Sequence, residues 1–204
     1  KTMVEMTALA NAIDFTVDKD GMHGPESTYD QLSNIFIPRE DGGILSSKGV
    51  VDFAFGIAPG VFTIIYSEDD YVNYEMEYLK MGRGPYWTLY RPYHLTSLEI
   101  PRTIFHLSMN RETILSANVW NVYVAAYAKK DMKPGEQLDS IGGICYFGVA
   151  TNKNKNPGYL PVGIAEKSTI IKQVMKGDPI YLEQVEIDQN TIYKMWKEQE
   201  ENLE

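Results

Sequence analysis

The stretch Tyr90-Arg-Pro-Tyr-His-Leu95 sets a guanidinium, a phenol and an imidazole beside one proline. Arg91 can fork onto a carboxylate or phosphate, while Tyr93 and His94 can donate hydrogen bonds to the same anion. The same residues also suit a structural role, in which Arg91 pairs with Glu99 and Tyr86, Trp87, Tyr90 and Tyr93 pack a domain interface. His23 stands in Gly21-Met-His-Gly-Pro25, a loop where an imidazole can meet a ligand. Its ordinary pKa of about 6.5 suits proton transfer near neutrality. Lys1 and Glu5 lie one helical turn apart, a spacing that lets a carboxylate hold an ammonium near a carbonyl, and equally the spacing of an ordinary exposed ion pair. His106 falls within an apolar helical run and is expected to be structural. The one cysteine, Cys145, lies in Gly142-Gly-Ile-Cys-Tyr-Phe-Gly-Val149, the setting of a buried inert thiol. The three histidines show no H-x-x-x-H or H-E-x-x-H spacing, so no metal site is expected.

These residues need elements to hold them. Met6, Leu9, Ala10 and Ile13 recur at helical period and predict an amphipathic helix over 1–13. Asp20-Gly21 and Gly24-Pro25 are turn formers that leave His23 in a loop, before a short polar helix around Ser27 to Ile35. Val50–Gly56 and Gly60–Ser67 read as neighbouring antiparallel strands joined across Ile57-Ala-Pro59. Tyr86–Tyr90 is extended in flavour, and Pro92 pushes Arg91 out of the α region. A helix then runs to about Asn110, with Thr96 or Ser97 as N-cap, Pro101 in its first turn, and Leu98, Ile104, Phe105, Leu107 and Met109 as its apolar face. From about Asn118 the pattern turns to strands: Val119–Tyr127, Ile141–Gly148 and Leu160–Ile164, with an exposed polar loop over 151–158. Residues 191–201 predict a charged terminal helix with Ile192, Met195 and Trp196 as its apolar stripe.

At 204 residues, with 44% hydrophobic and 12% aromatic residues, the chain can build a real core. Its net charge of -9 and lack of a dense basic run argue against nucleic acid as a partner. No stretch approaches the roughly 18 to 20 apolar residues needed to span a bilayer, and Glu5 interrupts the opening segment, so a cytoplasmic setting with no membrane partner is expected. The start on Lys1 and the close on Leu203-Glu204, a pair typical of a vector-derived tail, suggest a piece of a longer protein.

The second half holds an internal repeat. Ala128-Lys-Lys-Asp-Met-Lys-Pro-Gly-Glu-Gln-Leu-Asp139 and Ile171-Lys-Gln-Val-Met-Lys-Gly-Asp-Pro-Ile-Tyr-Leu-Glu-Gln-Val185 each carry a basic strand end, a Met-Lys turn closed by Gly135 or Gly177, an acid, and a returning apolar residue. Both copies resemble the lysine-proline-glycine-glutamate turn of the SAF domain, a small β-clip fold. Five motifs precede them in order: Lys1-Thr-Met-Val-Glu-Met-Thr-Ala-Leu-Ala-Asn11, Gly21–Pro25, Gly49-Val-Val-Asp-Phe53, Met81-Gly-Arg-Gly-Pro-Tyr86 and Tyr90–Leu95. Together these resemble the homoserine dehydrogenase-like NAD(P)-dependent oxidoreductases with a C-terminal SAF domain, a family that includes enzymes similar in role to deoxyxylulose phosphate reductoisomerase.

That resemblance implies an α+β chain: an α/β substrate and dimerisation domain with a mixed or antiparallel sheet over 1–115, then a SAF-like β-clip domain with a terminal helix over 116–204. It implies Lys1, Glu5 and His23 as catalytic residues and Arg91, Tyr93 and His94 as substrate-binding residues. The substrate would be small and hydroxylated or phosphorylated, such as a sugar acid or phosphorylated sugar derivative, and the protein a homo-oligomer. NAD or NADP would serve the full-length protein, with none expected for this chain alone. Family members bind that cofactor on a G-x-G-x-x-G turn; here Gly82-Arg-Gly84 offers two glycines but Trp87 stands where the third belongs. The alternative reading is a non-enzymatic SAF module that binds a sugar or sugar acid.

Overall fold

The structure is a computed structural model and describes residues 1–202; Leu203-Glu204, the expected tail, lie outside the described residues. Its elements, in chain order, are α1 Thr2–Ile13, β1 Thr16–Val17, α2 Leu32–Ile35, β2 Val50–Val51, β3 Val61–Tyr66, α3 Asp70–Tyr78, β4 Tyr86–Arg91, α4 Thr96–Asn110, β5 Val122–Ala128, β6 Tyr146–Asn152, β7 Thr169–Ile170, β8 Val185–Glu186 and α5 Thr191–Asn202. This is an α+β chain with small antiparallel sheets and a C-terminal helix. It forms two compact units, His23–Ser116 and a second in which residues 1–22 join the chain from Ala117 onward. Helix α1 goes with the C-terminal part of the chain.

Two asparagines account for that placement. The Asn11 amide donates to the Val122 carbonyl at 2.8 Å, and its oxygen accepts the amides of Val122 and Asn121 at 2.9 and 3.0 Å. Asn152 does the same for Val17, donating at 2.7 Å and accepting at 3.1 Å. Both side chains are buried, so these bonds satisfy backbone groups that water cannot reach. Ala10, fully buried, lets α1 approach β5 and β6 closely.

In the same unit β5 pairs with β6 from Val122↔Asn152 to Ala128↔Tyr146. Below them the repeat folds as a pseudo-twofold in which positions 42 residues apart are equivalent, Gly135 to Gly177. The Gly135 amide donates to the Ile170 carbonyl and the Gly177 amide to that of Ala128, both at 2.8 Å. Leu138 donates to Ser168, and Ile180 donates to Ala126. Met132 and Val174 exchange both of their backbone bonds. Each turn closes by an i to i+3 bond, Glu136 to Lys133 and Asp178 to Met175, with its glycine at φ +91°. That is the type II geometry, which requires a left-handed third residue. Alignment on the glycines places Met132 opposite Val174, not opposite the Met175 of the shared Met-Lys pair. Met132, Leu138, Tyr146, Leu160, Ile170 and Ile180 fill the core beneath the two turns, and Cys145 is a buried free thiol beside them.

The second unit is built around β3 and β4, paired antiparallel from Val61↔Arg91 to Tyr66↔Tyr86. The expected partner of β3, the Val50–Gly56 run, forms only the two-residue β2; the aromatic-rich Tyr86–Arg91 supplies six register partners instead. Residues Leu160–Ile164, expected as a strand, end in a 3-10 turn over Val162–Ile164. Leu32, Phe36 and Leu45 are the buried centre of the unit, with Phe62 stacked 5.0 Å from Phe36. Trp87 is fully buried and its indole N–H donates to Asn73 Oδ1 at 2.9 Å, docking α3 onto β4. The start of α3 follows from Asp69, whose carboxylate accepts the amides of Tyr71 and Val72 at 2.9 Å.

Helix α4 is turned inside out. Leu95 is its N-cap, and Pro101 stands in the second turn rather than the first. Its two least exposed residues are polar, Glu99 and His106. Leu98 is 76% exposed, Phe105 65% and Met109 66%. At 3.6 residues per turn, Glu99, Thr103, His106 and Asn110 line one side, and the apolar side chains lie around the rest with Ser97, Arg102 and Ser108 among them. The buried His106 Nδ1 has no hydrogen-bond partner.

Candidate active site

His23 lies in a loop bolted down by one carboxylate that spacing alone did not flag. Asp52 accepts the His23 amide on both oxygens at 3.0 Å, the Gly24 amide at 3.0 Å and the Phe53 amide at 2.8 Å. Backbone bonds continue the seam, Phe55 donating to Pro25 and Ser27 to Phe55, each at 2.9 Å. Gly24 takes φ +54° with the Phe53 ring pressed against the space a Cβ would occupy, so glycine is required there on two counts. The half-buried imidazole is thus carried on a fixed backbone. The sequence-level signal for Asp52 is an acid set in the apolar run Val50-Val51-Asp52-Phe53.

The elbow after β4 holds the proposed anion-binding residues. Arg91 Nη2 donates to Glu99 Oε1 at 2.6 Å, and the guanidinium lies 4.8 Å from the Tyr93 ring centre. The hydrogen bond from Arg91 is the main reason the Glu99 carboxyl titrates below the usual carboxylate range, and the same bond raises the guanidinium pKa. Glu99 Oε2 also accepts the Leu95 amide at 3.3 Å, which ties the elbow to the start of α4. Tyr93 and His94 are exposed beside it. The structure therefore brings Arg91 and Tyr93 together, with Glu99 as the resident anion.

Lys1 and Glu5 meet at 3.8 Å on the exposed side of α1, in the unit that contains the C-terminal part of the chain. A pair so open to solvent adds little to stability. Gly82-Arg83-Gly84 runs between the end of α3 and the start of β4, a helix-to-strand turn. A dinucleotide turn needs the reverse order, strand then helix, with amide groups at the helix N-terminus facing the pyrophosphate. These residues do not fit a nicotinamide nucleotide. Among the described residues no group of three or more His, Cys, Asp or Glu side chains is gathered to hold a metal ion, and no helix is long and apolar enough to cross a membrane.

A loop carrying an imidazole and an elbow carrying a guanidinium, both anchored by carboxylates on rigid backbone, are the parts an acid-base and anion-binding enzyme site needs. In keeping with this, an oxidoreductase catalytic domain occupies the N-terminal half of the chain. Residues 1–100 match the family model for the catalytic domain of oxidoreductase DRL, a span that contains Lys1, Glu5, His23, Asp52, Arg91, Tyr93 and His94. No curated protein matches the chain.

Proposed function

We propose that the chain is the substrate-handling part of a NAD(P)-dependent oxidoreductase of the homoserine dehydrogenase-like type, followed by a SAF-like β-clip domain. The observation that carries this reading is the match of residues 1–100 to an oxidoreductase catalytic domain. The paired turns at Gly135 and Gly177 support the SAF-like assignment, since two copies of one turn related by a pseudo-twofold are what the repeat in the sequence anticipates. The nicotinamide nucleotide would be held by residues outside this chain.

On this reading His23 gives or takes the proton of the reacting hydroxyl, on a loop fixed by Asp52. Arg91 exchanges Glu99 for the anionic group of a small hydroxylated or phosphorylated substrate, such as a sugar acid, with Tyr93 and His94 donating beside it. Lys1 and Glu5, in the other compact unit, are proposed as a charged pair that takes part in catalysis, an ammonium held by a carboxylate. The outward apolar face of α4, in a helix whose only charges are Glu99 and Arg102, supports a homo-oligomer in which that face is covered by another subunit. Nicotinamide-coupled turnover by the full-length protein tests the reading. Arg91→Ala is expected to raise KM for an anionic substrate several-fold with melting temperature retained; loss of stability with unchanged kinetics would make Arg91 structural.

A further inference from the structure

A second group of polar residues within the span that matches the catalytic domain has no part in the site above. It grows from the last register pair of the β3–β4 ladder, Tyr66↔Tyr86, whose rings lie 4.9 Å apart. Each phenol donates to its own carboxylate at 2.6 Å: Tyr66 to Glu68 and Tyr86 to Asp41. Tyr86 is buried, and burial together with the Asp41 bond raises its pKa, so it stays a neutral donor to that carboxylate. Onto this pair the loop Ser46-Ser47-Lys48-Gly49 lowers one ammonium. Lys48 Nζ stands 3.3 Å from the Tyr66 ring centre and 5.6 Å from that of Tyr86.

The arrangement is unusual in what it does with charge. A lysine beside two carboxylates would ordinarily pair with one of them. Here the phenols take those carboxylates and the ammonium rests on the π face, which attracts a cation without neutralising it. An ammonium has three donors, and a ring face engages only one side of it, so Lys48 keeps donors and net charge for an incoming anion. Gly49, at φ +74°, turns the chain directly after it, and Ser47 is exposed beside it.

We propose that Lys48, seated on Tyr66 and Tyr86, is an anion-binding residue of the oxidoreductase domain, taking a carboxylate or phosphate group of a small substrate. The proposal deepens the function proposed above and rests on it for the word substrate. Lys48 binds the anion; Tyr66 and Tyr86 are positioning residues.

The test uses the 204-residue chain and reads binding rather than turnover. Inorganic phosphate and succinate are titrated separately at constant ionic strength, followed by calorimetry and by the rate of Lys48 acylation measured by mass spectrometry. Phosphate, succinate or both should bind and slow acylation of Lys48; the tighter anion identifies the group. Lys48→Gln should weaken that binding at least tenfold with unchanged melting temperature, and Lys48→Arg should retain most of it. Tyr66→Leu should weaken it and Tyr66→Phe restore it, because the ring and not the hydroxyl carries the ammonium. Binding equal in wild type and Lys48→Gln, or no slowing of acylation by either anion, overturns the proposal. Because no step is catalysed in this experiment, its failure leaves nicotinamide-coupled turnover of the full-length protein as a separate question.

Discussion

The β-clip core of one compact unit and helix α4 of the other use their apolar residues in opposite ways. In the unit that holds β5 to β8, Leu138, Leu160, Ile170 and Ile180 are sealed beneath two symmetric turns, and the amides of Gly135 and Gly177, Leu138 and Ile180, and Met132 and Val174 make equivalent bonds across the pseudo-twofold. In the unit His23–Ser116, Leu98, Phe105 and Met109 face outward from α4, while Glu99 and His106 are turned in. The difference separates architecture from work. A self-paired β-unit of this kind suits a body that keeps its shape, whereas open apolar helix surface and anchored polar loops are the features on which the proposed ligand and subunit contacts rest.

The sharpest way to break this contrast is to cut equivalent positions in the symmetric core. Leu138→Ala and Ile180→Ala should each cost about 2 to 5 kcal/mol, the range for truncation of a buried aliphatic side chain, and by similar amounts in chemical denaturation. A large loss at one position and almost none at the other would show that the pseudo-twofold is only geometric. Next in size, Gly135→Ala and Gly177→Ala should each cost about 1 to 2 kcal/mol, because an L side chain resists the left-handed region. Nothing lies within 4 Å of a Cβ added at either site, so the loss would be purely conformational.

On the other side of the comparison, Phe105→Glu should leave unfolding of the isolated subunit within about 0.5 kcal/mol of wild type, as for an exposed position. It should weaken self-association at least tenfold, about 1.4 kcal/mol, as read by light scattering across a dilution series. An unchanged molecular mass would mean that the outward face of α4 is not a subunit contact. The smallest effect is expected at the elbow. Glu99 has its folded pKa depressed by Arg91, so its contribution is present above the unfolded value near 4.3 and is lost as pH falls through the lower folded value. The Arg91 and Leu95 resonances should therefore shift together in acid, and Glu99→Gln should abolish that coupled shift.

Much of the fold was legible because it rests on local patterns. The helical period fixed α1 and α5, the Pro92 and Asn110 region bounded α4, and the two glycine turns announced the repeat. The pairing of β3 was not legible, since Val50–Gly56 and Tyr86–Arg91 are both β-prone and the choice between them is made by tertiary contacts that leave no local pattern. Helix α3 was not anticipated either: its start rests on Asp69, whose role as a cap depends on amides that come after it. At the site, the pairing of Arg91 with Glu99 was one of two readings the spacing allowed. Asp52 and Lys48 were missed because their roles depend on residues 28 or more positions away and on a cross-strand ring pair, neither of which leaves a periodic trace.

The most direct test of an oxidoreductase catalytic domain at residues 1–100 is nicotinamide absorbance in the full-length protein against a panel of small hydroxy acids, sugar acids and phosphorylated polyols. Turnover of at least one anionic member with NAD or NADP, lost on His23→Ala in protein that remains folded, is the result expected. A folded full-length protein that turns over none of the panel with either nucleotide, or one whose turnover is indifferent to His23→Ala, would contradict the account.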